Sequence, residues 1–134
     1  MKKLLTIVLC AAVAGLCGCT KPVVIDGDQL EEREDHLRYF EGKPFTGVAV
    51  GKYPNGQKNW EATFKEGEQH GLETTWYSNG QKHRESTWKD GKVMTIVSWK
   101  PNGEKCPVTN VVNGNGVKVW YNNDGTEKER KTYR

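Results

Sequence analysis

Gly71-Leu72-Glu73-Thr74-Thr75-Trp76-Tyr77-Ser78-Asn79-Gly80-Gln81-Lys82 reads as a strand running into a tight turn. Leu72, Thr74 and Trp76 fall on one side of an extended chain, and Glu73, Thr75 and Tyr77 on the other. Asn79-Gly80 then supplies positive φ at low steric cost, the chemistry of a hairpin turn, and Lys82 to Trp88 reads as the returning strand.

The same pattern recurs on both sides. Turn signals end at Asn55-Gly56, Asn79-Gly80, Asn102-Gly103 and Asp124-Gly125, with the glycines 24, 23 and 22 residues apart. Eight residues after each comes a large strand-former: Phe64, Trp88, Val111 and Tyr133. Three residues beyond the first three of these stand Gly67, Gly91 and Gly114. Nine residues before each turn glycine stand Gly47, Gly71, Met94 and Gly116. Fixed offsets of this kind mark a repeat. Each unit reads as strand, turn, strand, loop. The first strands are Val48 to Tyr53, Leu72 to Tyr77, Thr95 to Trp99 and Val117 to Tyr121, and the second begin at Lys58, Lys82, Lys105 and Lys128. The expected fold is all-β: a single-layer array of about four stacked hairpins forming an elongated, open, twisted sheet. Pro107 lies inside the second strand of unit three, where a missing N–H weakens the ladder and invites a bend.

Composition agrees with a thin structure. The hydrophobic residues make up 35% of the 134, too few for a thick central core. Yet 5 Trp, 5 Tyr and 3 Phe all lie between Tyr39 and Tyr133, a density that a disordered chain lacks.

Before the repeats, Lys2 and Lys3 precede an apolar run from Leu4 to Leu16, too short to span a bilayer. The run ends in Leu16-Cys17-Gly18-Cys19, which resembles the bacterial lipobox, with Cys19 at the position that becomes lipidated. Residues 1–18 are therefore expected to be a lipoprotein signal peptide, and a covalent lipid on Cys19 is the only added group expected; no cofactor or metal is. Thr20 at the following position is compatible with sorting to the outer membrane of a didermal cell. Removal of residues 1–18 takes two lysines from 20 basic and 17 acidic residues, so the formal charge falls from +3 to +1. A strongly basic nucleic-acid binder is excluded. In that form Cys106 is the one free thiol, read as a small residue on a strand.

Charge is also uneven along the chain. Asp26 to Glu41 holds seven acids against Arg33 and Arg38, and Gly42 to Arg134 holds 15 basic against 10 acidic residues. Residues 19–36 are read as an acidic tether and 37–134 as the repeat domain, with units near 43–66, 67–90, 91–113 and 114–134.

Gly47-Val-Ala-Val-Gly-Lys-Tyr-Pro-Asn-Gly56, the Gln-Lys pairs at 57–58 and 81–82, and Phe64-Lys-Glu-Gly67 with Trp88-Lys-Asp-Gly91 are similar to the bacterial variant of the MORN repeat. Pro44-Phe45-Thr46-Gly47 after Leu30-Glu-Glu-Arg33 and Tyr39 resembles the leading segment of MORN-variant proteins grouped with toxin–antitoxin antitoxins. The resemblance covers about residues 30 to 134 and implies an array of β-hairpins. It adds an antitoxin or immunity role as one functional alternative.

No catalytic set stands out. His36, His70 and His83 lack metal-ligand spacing, and Asp26-Gly-Asp28-Gln-Leu-Glu31-Glu32 carries only half of the acidic pattern of a calcium loop. The chain is read as non-enzymatic. Lys58, Lys82, Lys105 and Lys128 form a candidate cationic ladder, which either decorates a solvent face or meets anionic lipid, wall or protein. Trp60, Trp76, Trp88, Trp99 and Trp120 are read mostly as core, with some left exposed for a partner. The leading functional expectation is a lipid-anchored envelope module that binds a protein partner. The antitoxin role and a structural lipoprotein using the lysine row are the alternatives. Self-association by edge pairing is a further expectation, with Leu37 to Phe40 as the less guarded edge and the charged last strand as the guarded one.

Overall fold

The computed structural model describes residues 21–134. The signal segment 1–18, with Leu16, Cys17 and Gly18, and the lipidation position Cys19 lie outside the described residues.

The described chain is all-β apart from one 3-10 turn at Gly27–Gln29. The strands are β1 (Val24–Asp26), β2 (Glu31–Glu32), β3 (Arg38–Phe40), β4 (Lys43–Pro44), β5 (Gly47–Lys52), β6 (Lys58–Lys65), β7 (Glu68–Trp76), β8 (Lys82–Lys89), β9 (Lys92–Ser98), β10 (Asn110–Val112), β11 (Asn115–Tyr121) and β12 (Glu127–Tyr133). Strands β5 to β12 pair in chain order as an antiparallel meander, and β1 adds to the β5 edge in parallel, making nine strands in an open sheet. Strands β2, β3 and β4 form a separate three-stranded sheet. The expected hairpin array is present.

Two kinds of turn alternate along it. At the Asn-Gly end, Tyr53 N–H donates to Gln57 O at 2.8 Å and Gly56 N–H to Tyr53 O at 2.9 Å. Tyr77, Lys100 and Asn122 repeat this arrangement with Gly80, Gly103 and Gly125. Only the glycine of each turn takes positive φ, between 84° and 85°. This is a three-residue loop closed by a left-handed glycine rather than a two-residue turn with positive φ at both positions. Asn55, Asn79, Asn102 and Asp124 each use the side-chain Oδ1 to accept the N–H two residues on, at 3.1, 3.0, 2.9 and 2.9 Å.

The segments expected as loops are tighter. Glu66-Gly67, Asp90-Gly91 and Asn113-Gly114 have positive φ at both residues and join strands paired immediately outside them, the geometry of a type I′ turn. Glu41-Gly42 makes a fourth such turn between β3 and β4.

Four further expectations are corrected. The second strand of unit three does not run from Lys105 to Val111. Lys105 makes one isolated bridge to Trp99, and only Asn110–Val112 is a strand. Pro107 offers no N–H, and Thr109 N–H turns instead to Cys106 Sγ at 3.3 Å while Thr109 Oγ1 accepts Val119 N–H at 3.0 Å. Cys106 is therefore buried in an irregular segment rather than on a strand. The tether expected over 19–36 is structured from Val24 onward, because its apolar Val24 and Ile25 can pair with Val48 and Ala49. The main-sheet edge is accordingly β1, while β3 (Arg38–Phe40) is the middle strand of the small sheet and not an open edge.

Register places Ile25, Ala49, Ala62, Glu73, Ser86, Ile96 and Val111 on one face of the main sheet. The small sheet and Leu30 cover one end of this face. There Ile25, Phe45, Ala49, Ala62 and Phe64 form the buried cluster, with Leu30, Phe40 and Trp60 packed against it. Phe45 meets Phe64 at 6.0 Å and Phe40 at 5.9 Å between ring centroids. Trp60 lies so close to Gly51 and Gly27 that a Cβ at either would come within 2.1 and 2.4 Å of the indole. Two backbones without side chains thus make the slot for the ring.

Candidate functional site

The open face carries the lysines. Lys58, Lys82 and Lys105 share one register position, opposite Lys52, Trp76 and Trp99. In the last unit that position, opposite Tyr121, is held by Glu127. Lys128 falls one residue later, at the bulge occupied by Asn59 and His83 in the first two units. Lys58 pairs with Glu61, and Lys82 with Glu85 at 2.7 Å. Their ammonium groups also lie 5.6 and 5.0 Å from the ring centroids of Trp76 and Trp99, one unit further on. Two of the three aligned lysines are thus neutralised by their own glutamates and face the next unit's indole. All five tryptophans are half-buried, and among the described residues the exposed large apolar side chains are Val23, Val24, Leu72, Val108 and Val112.

The covered face holds a groove of about 510 Å³ between the small sheet and strands β6 and β7. Leu30, Trp60, Ala62 and Phe64 supply apolar lining, and Arg38, Gln69 and Glu73 polar lining. Arg38 pairs with Glu32 at 2.7 Å, and the guanidinium's hydrogen bond and charge hold the Glu32 carboxyl below the usual carboxylate range.

Glu73 continues from the groove into a polar cluster further along the sheet. Its Oε1 accepts from Arg84 Nη2 at 2.6 Å and its Oε2 from Trp88 Nε1 at 2.9 Å. This is the most enclosed ion pair among the described residues, with side-chain exposures of 19% and 12%. Lys118 is 3% exposed, with its ammonium 3.6 Å from the centroid of the Trp120 ring. Burial, reinforced by the charge of Arg84, pushes the Lys118 ammonium down to about 7. Burial likewise pushes His83 down to about 4, with Arg84 and Lys118 adding to it. Thr75 Oγ1 and His83 Nδ1 are 3.2 Å apart, and the His83 ring packs on Tyr77 at 4.5 Å.

The remaining titratable candidates are scattered. His70 contacts Asp90 at 3.2 Å on the surface, and His36 takes positive φ in the turn before β3. Burial pushes the Cys106 thiol up, but hydrogen bonds with Thr109 and Tyr121 bring it below its usual value. Among the described residues no group of His, Cys, Asp and Glu is arranged to hold a metal.

Glu73, Arg84 and Lys118 were not singled out from the sequence, though alignment of the units marks them. Counting back three residues from Lys52, Trp76, Trp99 and Tyr121, which share a register position, gives Ala49, Glu73, Ile96 and Lys118. The column is apolar in units one and three and charged in units two and four. Four residues after the turn glycine, Trp60 of unit one is likewise replaced by Arg84.

No family model, curated protein or solved structure matches the chain.

Proposed function

We propose that the chain is a lipid-anchored envelope protein, a non-enzymatic module of MORN-like hairpins that binds an extended segment of a protein partner on the covered face of its sheet. The groove carries this reading. Its lining offers Leu30, Trp60 and Phe64 to an apolar side chain and Arg38, Gln69 and Glu73 to the polar groups beside it. The lysine row is the weaker surface, because Lys58 and Lys82 already hold glutamates. The anchor follows from the Leu16-Cys17-Gly18-Cys19 sequence; several acyl chains would give stable attachment.

Affinity capture from detergent-solubilised envelopes tests both parts. A Cys19→Ala chain is expected to leave the membrane fraction. Gln69→Trp, which fills the groove, is expected to lose a partner that the unaltered chain retains. Capture unaffected by the filled groove would reject this face as the binding surface.

A further inference from the structure

Lys118 is buried without a carboxylate partner among the described residues, although every other enclosed charge there is paired. The cross-strand register shows what it faces. Arg84 pairs with Ser98 across β8 and β9, and Lys118 pairs with Lys131 across β11 and β12. Between these pairs β10 is missing, because it starts only at Asn110 and reaches β9 only at Ile96. The row from Arg84 to Lys118 therefore passes over Ser98 and the irregular residues 106–109, with two long cations projecting from the same face at either side of a serine.

Donors in this cluster outnumber acceptors. Arg84 Nε, Ser86 Oγ and Ser98 Oγ are buried and have no hydrogen-bond partner among the described residues, and both serines are 1% exposed. The Glu73 carboxylate already accepts from Arg84 Nη2 and Trp88 Nε1. Buried donors without acceptors are costly, and an anionic acceptor removes that cost for several of them at once. Charge sets the valence. Arg84 and Lys118 against Glu73 leave one positive charge; Lys131 and Glu129, which also act on Lys118, cancel, and His83 is neutral near pH 7. One negative charge balances the site, whereas a phosphate dianion would overshoot it.

We infer that Arg84, Ser98 and Lys118, backed by Ser86 and Trp120, form a binding site for a single carboxylate, supplied by an acidic side chain or by a small organic acid. The site stands apart from the groove reading and touches it only through Glu73. With the site empty, the ammonium of Lys118 loses its proton near neutrality. A bound carboxylate favours the protonated form, so its midpoint rises on binding and affinity falls as pH rises through that midpoint.

The test follows the Lys118 side-chain carbon resonances through pH titrations of the full chain in neutral detergent, assigned by their loss in Lys118→Met. Titrations are compared in chloride, acetate, inorganic phosphate and a terminally blocked glutamate peptide at constant ionic strength. Saturating acetate is expected to raise the Lys118 midpoint by about one unit, the shift produced by roughly tenfold tighter binding to the protonated form. A response to the blocked peptide assigns the source to protein side chains, and a response to acetate alone assigns it to small acids. A midpoint unmoved by both, or moved further by phosphate than by acetate, overturns the inference. Lys118→Met is expected to raise Tm without ligand, since an apolar chain of similar length replaces a desolvated ammonium. A lower Tm would make Lys118 a structural element and would also overturn it.

Discussion

Two of the turn asparagines, Asn55 and Asn79, perform two tasks with one side chain. Their Oδ1 closes the turn, and their Nδ2 reaches the next unit: Asn55 donates to Ser78 O at 3.3 Å and Asn79 to Pro101 O at 3.0 Å. Asp124 performs only the first task, because a carboxylate has no N–H to donate. Asn79→Asp is therefore expected to keep the turn but cost about 1–2 kcal/mol in urea unfolding, since it removes a donor and sets an anionic oxygen against a carbonyl. Asp124→Asn is expected to change stability by less than about 0.5 kcal/mol. Gly51 makes a different demand. Its φ is not in the left-handed region, so only space is at issue, and a methyl 2.1 Å from Trp60 Nε1 has nowhere to go. Gly51→Ala is expected to cost about 1–3 kcal/mol, read from the denaturation midpoint, with Trp60 fluorescence altered.

The hairpin is the level at which the sequence was most legible. Asn-Gly spacing and alternation around Trp76 and Trp88 located β7 and β8 within a few residues, because turn chemistry and side-chain period are local properties. The type I′ turns at Glu41-Gly42 and Glu66-Gly67 were harder to read, since glutamate favours left-handed backbone less than the Asp90 and Asn113 of the equivalent turns. That mismatch gives a prediction: Glu66→Asn, at φ 51°, is expected to stabilise the chain by about 0.5–1 kcal/mol in chemical denaturation. The parallel pairing of β1 and the folding back of β2 to β4 were not legible, because nothing local in Val24-Ile25-Asp26 names Val48–Val50 as its partner. The polar cluster was missed for the same reason: Glu73 and Arg84 lie on paired strands, but Lys118 joins them only through register accumulated over the intervening unit. Pro107 did announce trouble, and the structure locates it as a broken strand whose gap the Cys106 and Thr109 contacts fill.

Across the whole molecule, the two buried bases make stability depend on pH. His83 lies at about 4 against an ordinary 6.5, and Lys118 at about 7 against 10.5, so in each window the unfolded chain binds more protons than the folded one. Stability is expected to rise with pH between about 4 and 6.5 and again between about 7 and 10.5. Thermal melts across these ranges check the sign, with His83→Gln flattening the first rise and Lys118→Met the second. The contacts that join unit to unit carry a different lesson. Tyr53 Oη donates to Trp76 O at 2.7 Å and Tyr77 Oη to Trp99 O at 2.9 Å, while Gly91 N–H and Gly114 N–H donate to Gln69 O and Met94 O. In every one of these bonds the acceptor is a main-chain carbonyl, which every amino acid provides. A unit can exchange most of its side chains and still be held by its neighbours, so the array tolerates divergence of its members one at a time. Unit three, with Met94, Lys100 and Pro107 in place of the common residues, has drifted in this way without being released.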